Sequence, residues 1–352
     1  MSYQNGILLL NDGTVFKGVL SGAKKVITGE VGFVTSMTGY LETLTDPCSA
    51  NMLLAFTYPL IGNYGVLPTH GLSSKIHANG VIVREACSSP SNFQYELSFN
   101  SYLIQQDITM LEQVDTRALV RHIRINGPQR GAILSAEGFN LEDAKQILYR
   151  EDYKPSELPS TERFPGRKQK LVVLNLGSVD VLINDLRKFD FDVVVYPSTT
   201  SFEELIEEKP DAVIISEGPE IPVLQNEHRG LTNTIKLLAE KIPILAFGLG
   251  HLLLAEALGG RIAKLPVGHR GSNHPVKVEG QKVIEMTRQN HGYTVMRDSV
   301  GLKHFTINQY ELHDQSIEGL HHLSLPIRTQ QYYTALSLKQ HLRELLNIKE
   351  EC

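Results

Sequence analysis

PILAFGLGHLLLAEALGG, residues 243–260, sets a short apolar run directly before a pair of glycines and a second apolar run with helical spacing. The pattern predicts a strand, a sharp turn and a helix. In such a turn one side chain is pushed out of the sheet at strained φ/ψ, and the following N–H points at a developing oxyanion. The apex here is Gly248, with Leu249 after it. Glycine accepts the strained conformation without a Cβ clash. Two readings stand at this point: a glycine-rich turn that closes a βα unit, or a nucleophile mount without a nucleophile.

The surroundings decide the fold class. KLVVLNLG, DVVVYP, DAVIISEGP and IPILAFGLG are β-branched runs without polar alternation, and helical segments such as VDVLINDLRKF and GLTNTIKLLAEK separate them. Apolar strands alternating with helices predict a doubly wound, mainly parallel sheet covered on both faces. Ligands in such sheets sit at the carboxyl ends of the strands, here SEGPEIP (216–222) and FGLGH (247–251). The N-terminal half reads differently, as a mixed α/β domain. ILLLNDGTVFKGVL predicts a hairpin turning at Asn11-Asp12-Gly13. SFNSYLIQQDI and DTRALVRHIRING carry helical spacing, with Asp115 and Thr116 as candidate caps. EDYKPSELPSTERFPGRKQK reads as a linker, so the expected domains are 1–150, a linker 151–169, and 170–352.

Composition narrows the function. The chain has 352 residues, 41% hydrophobic and 21% charged, with a net charge of −5. Those values and the absence of a basic block predict a globular protein without nucleic acid as partner. No apolar run is long enough to span a bilayer and the N-terminus lacks signal-peptide character, so a cytoplasmic location without a membrane partner is expected. Cys48, Cys87 and Cys352 fit neither a disulfide framework nor paired metal knuckles. The 13 histidines include His269, His274 and His291 and the pair His321-His322, but none shows the spacing of a helical zinc pair, so no metal site is expected. Surface loops are the expected place of His321, His322 and HDQ 313–315. No phosphate-binding loop appears.

Several ordered stretches resemble the small, glutamine-hydrolysing subunit of carbamoyl phosphate synthetase. They are TSMTGYLETLTDP (35–47), FTYPLIGNYGV (56–66), VDTRALVRHIR (114–124), ISEGPEIP, LGHLLLAEALGG, VGHRGSNHPVK, QNHGYTV and IEGLHHLSLP, and they run over nearly the whole chain. The resemblance implies an N-terminal domain that docks on a large synthetase subunit, in a heterodimer or higher oligomer. It also implies a C-terminal class I glutamine amidotransferase domain. No cofactor is expected in this chain, since ATP and Mg belong to the large subunit, and the product serves arginine or pyrimidine synthesis.

Family glutaminase chemistry uses a cysteine thiolate, a histidine that takes its proton and a carboxylate that orients the histidine. The family elbow resembles G-I-C-L-G-H-Q where this chain reads A-F-G-L-G-H-L, which puts Gly248 at the nucleophile. The family stretch S-x-Q-x-H-P-E, aligned from Pro326, puts Tyr333 at the base and Ala335 at the orienter. The implied glutamine-pocket positions are Cys48, Gly218, Glu220, Leu249, Leu252, Asn290, Gly292 and Tyr293. Cys48 replaces a serine, Glu220 a glycine of the N-G-P-G turn, and Leu252 a glutamine. Cys48 is not on the elbow, and no histidine–carboxylate pair remains to activate it. The expected function is therefore a synthetase small subunit whose own glutaminase activity is lost or severely impaired. A second reading is a non-catalytic, regulatory pseudo-amidotransferase whose remodelled pocket takes glutamine or another small amine-containing ligand.

Overall fold

The structure, a computed structural model, describes residues 4–148, 160–220 and 229–348. The described residues fall into two compact units, one within Met1–Pro155 and Pro266–Asn273, the other within Ser156–Leu265 and His274–Cys352. Among them no helix is long and apolar enough to cross a membrane.

The first unit is a closed barrel. Its strand order is Gln4–Leu10, Val15–Gly22, Thr109–Glu112, Gly80–Ile82, Met52–Phe56, Ile27–Val34 and Gln129–Ser135, closing back on the first. The first two strands pair antiparallel, Leu9 opposite Val15, around the Asn11-Asp12-Gly13 turn. Asp12 accepts the Thr14 N–H at 2.9 Å and fixes that turn. The unbroken run Ile7–Leu10 is buried on both faces of its strand. Leu8 and Leu10 pack with Leu53, Leu111 and Ile133, while Ile7 and Leu9 pack with Ala144 and Leu148 of the helix Leu141–Leu148. Asp115 caps the helix Thr116–Asn126 through the Ala118 N–H at 2.9 Å, an interaction that stabilises a helix by about 1 kcal/mol.

The second unit is built on a ten-stranded sheet. Five strands run parallel in the order Asp192–Pro197, Lys170–Asn175, Ala212–Ile215, Ile244–Phe247 and Ile327–Gln330. Their side chains feed two cores. Val172, Leu174, Val213 and Ile215 pack with the helices Arg229–Ala239 and Leu249–Ala257. Leu171, Val173, Ile214, Leu245 and Phe247 pack with Asp180–Lys188 and Ala335–Leu346. Burial on both faces is why these strands read as apolar runs without alternation.

Two sequence expectations need correction. Residues 151–159 of the expected linker lie outside the described residues, but Glu162–Phe164 pairs antiparallel with Val193–Val195 as a strand of the sheet. The sheet also continues on its other side through Ile317–His322, Phe305–Glu311, Ile262–Val278 and Ile284–Val295. His321 and His322 therefore end a strand and are not loop residues; His321 is half-buried and lies 3.0–3.1 Å from Arg328 Nη1. Burial and the neighbouring guanidinium push its pKa down to about 4. These antiparallel strands were hidden because polar residues fill buried places in them. Gln289 donates to the Glu318 carboxylate at 2.8 Å, and such a pairing lets two polar side chains occupy a core position.

A candidate amidotransferase site

The elbow is held from both sides by main-chain bonds. The strand Ile244–Phe247 is buried throughout and stops at Gly248, whose φ of 51° and ψ of −117° cap the helix Leu249–Ala257. Gly248 N–H donates to Gln330 C=O at 3.0 Å, and Leu252 N–H donates to Gly248 C=O at 3.3 Å. The backbone therefore has the strained shape of a nucleophile elbow. A Cβ at residue 248 would lie 2.9 Å from Glu217 Cγ and 3.1 Å from Glu217 Cβ. The space into which a nucleophile would project is taken by the Glu217 side chain. Leu249 opens the helix as expected, whereas Leu252 is fully buried among Ile235, Leu238 and Leu253 and serves the core.

His251 is the histidine nearest the apex in sequence. It is completely buried, its Nδ1 lies 2.7 Å from Thr329 Oγ1, and burial pushes its pKa down to about 3. It is a neutral imidazole tied to the adjacent strand.

Tyr333, expected at the base, follows the strand Ile327–Gln330. Its O–H donates to Asp185 Oδ2 at 2.8 Å, and its ring meets Phe247 edge-on, with centroids 5.2 Å apart. Burial and the Asp185 carboxylate push its pKa up, so the phenol stays protonated and donates. Ala335, expected at the orienter, is exposed and opens the helix Ala335–Leu346 behind the cap Thr334, which accepts from the Ser337 N–H at 3.0 Å. Shifting the alignment by one residue would substitute Tyr332 and Thr334, which again supply neither imidazole nor carboxylate. Asp185 had no signal in the sequence, because its role depends on a tyrosine 148 residues away.

The remaining pocket positions belong to both units of the chain. Glu220, Gly292 and Tyr293 come together. Gly218 lies in a turn held by Ser178 N–H to Glu217 C=O at 3.1 Å; a Cβ there would lie 2.1 Å from Leu176 O, so no side chain fits. Two residues on, Glu220 accepts from the Gly292 N–H at 2.6 Å and the Tyr293 N–H at 3.2 Å. Asn290 lies two residues before Gly292 on the same strand, Ile284–Val295, and Lys264 Nζ sits 5.9 Å from the Tyr293 ring centroid. Cys48 belongs to the first unit, half-buried in the single turn Pro47–Ser49, with its N–H donated to Asp46 Oδ1 at 2.9 Å. Sequence reasoning missed Glu217, although a carboxylate in SEGPE beside an empty apex was the available signal.

Comparison with known proteins agrees with this architecture. The model of Glutamine amidotransferase class-I matches residues 172–347, and that of Carbamoyl-phosphate synthase small chain, CPSase domain, matches residues 8–133. By fold and by match, the second unit is a class I glutamine amidotransferase domain. The carbamoyl phosphate synthase small chain of Bacillus thuringiensis is 38% identical over 336 residues, covering 94% of this chain and 90% of that protein. Its counterparts in Syntrophotalea carbinolica and Caldanaerobacter subterraneus are each 38% identical, covering 95% and 93% of this chain and 94% and 90% of their own lengths. The chain belongs to the carbamoyl phosphate synthase small chain family.

Proposed function

We propose that this chain partners a large, ATP-dependent synthetase subunit and does not itself hydrolyse glutamine. The observation that carries the reading is Gly248. Amide hydrolysis by this route begins when a side-chain nucleophile attacks the carboxamide carbon and forms a covalent acyl intermediate. Glycine at the apex has no atom with which to form that bond, although the elbow backbone is in place. The proposed base and orienter positions add nothing, since Tyr333 is a protonated phenol donating to Asp185 and Ala335 has no functional group. Nucleophile and base act as a unit, and in a serine protease's Ser-His-Asp triad losing one of them costs about 10⁶-fold in kcat.

In this reading the N-terminal unit provides the docking role of the family, and carbamoyl phosphate for arginine or pyrimidine synthesis is made by the partner from free ammonia. This chain needs no cofactor; ATP and Mg act in the large subunit. Co-expression with a large subunit, followed by synthesis assays with ammonia and glutamine in parallel, tests the proposal. A stable complex active with ammonia alone is expected. No complex at micromolar concentration would end the partner reading.

A further inference from the structure

We infer that the main-chain N–H groups of Gly292 and Tyr293 form a carboxylate-binding site that the chain fills with its own Glu220. Two successive backbone donors that converge on a single carboxylate make an anion site of the kind that holds free acids. Both carboxylate oxygens of Glu220 are used, Oε2 by Gly292 at 2.6 Å and Oε1 by Tyr293 at 3.2 Å.

The internal ligand is presented by a stiff mount. Gly218 cannot carry a side chain because Leu176 O would lie 2.1 Å from its Cβ, Pro219 fixes its own φ and restricts Gly218 before it, and the Ser178–Glu217 bond ties the segment to its neighbour. The receiving strand is equally fixed, with Gly292 buried and His291 Nδ1 2.9 Å from Tyr293 C=O. A group tethered in this way competes at an effective concentration on the order of millimolar or higher. Free carboxylates of ordinary affinity are therefore kept out. The ligand class for the uncovered site is a small carboxylate such as the α-carboxylate of an amino acid.

This inference deepens the reading of a silent amidotransferase site, but its readout is binding and not turnover. Glutamine hydrolysis by the wild-type chain would end that reading without deciding this one. The test is calorimetric titration of wild-type, E220G and E220Q chains with L-glutamine and with 4-aminobutanamide, which is glutamine without its α-carboxylate. E220G is expected to bind L-glutamine at least about tenfold tighter than wild type, with no comparable gain for 4-aminobutanamide. Equal L-glutamine affinity in wild type and E220G, or an equal gain for both compounds, overturns the inference. Should E220G fail to fold, the near-isosteric E220Q serves with a second readout. Amide exchange at Gly292 and Tyr293 is expected to be at least about tenfold faster in E220Q than in wild type, and to slow again on adding L-glutamine. Unchanged exchange in E220Q overturns the inference.

Discussion

The elbow at residues 247–252 and the strand end at residues 330–335 are joined by the Gly248 N–H to Gln330 C=O bond, yet they depart in opposite ways from the nucleophile and base that the family resemblance implies. At the elbow the backbone has the strained shape and the side chain is missing, with Glu217 filling the gap. At the strand end large side chains are present, but they are anchored elsewhere. Tyr333 is held by Asp185 and Phe247, and Tyr332 is buried with its O–H directed at Glu285. Sheet hydrogen bonds and core packing set the shape of both segments, and neither depends on a reactive group. Main-chain and apolar interactions alone are enough to hold the shape of both segments.

If the elbow is now part of the core, lowering the pH should weaken it. His251 is neutral when folded, with its pKa depressed by burial to about 3, whereas in the unfolded chain it has the ordinary value near 6.5. Between those values only the unfolded chain takes up the proton, so stability is complete above about pH 6.5 and is lost as pH falls toward 3. The slope from His251 approaches 1.4 kcal/mol per pH unit, roughly 3 kcal/mol between pH 6 and pH 4. His341, buried and lowered to about 3, acts in the same direction. Denaturant midpoints against pH check this, and H251N should flatten the curve; a mutant curve parallel to wild type would break the comparison.

Leu252→Gln sharpens it from the other side. Leu252 is fully buried, so the amide would enter an apolar core at a cost of about 3 kcal/mol in unfolding free energy. If equilibrium denaturation shows the variant as stable as wild type, residue 252 faces a polar pocket after all. Gly248→Cys should cost about 1–3 kcal/mol, from positive φ and the collision with Glu217, and should not yield glutamate from glutamine. Tyr333→Phe is the mildest change. It removes one hydrogen bond but leaves Asp185 its Lys188 partner at 2.9 Å, so a loss of about 1 kcal/mol is expected. A loss within error would show that the phenol is not an anchor.

Much of this was legible in the sequence because it rests on local pattern. The parallel strands declared themselves as apolar runs, Asp115 as a cap and Gly248 as the apex of a turn. The antiparallel half of the sheet was not legible, because Gln289 donates to Glu318 across 29 residues and no period-2 apolar pattern results. Glu220 was visible as a carboxylate in place of a turn glycine. Its partners were not, since hydrogen bonds to the main chain of Gly292 and Tyr293 leave no mark on residue type. Leu252 misled for a related reason: its place in the motif suggested a pocket, while its side chain turns into the core.

The central claim is that the elbow holds shape without chemistry. Its most direct test is glutamate release from L-glutamine by the purified chain with a large subunit and ATP present. Release no faster than with the large subunit alone is expected, together with full carbamoyl phosphate synthesis from ammonia. Glutamate release that requires this chain and disappears when Cys48 is replaced by serine would contradict the account.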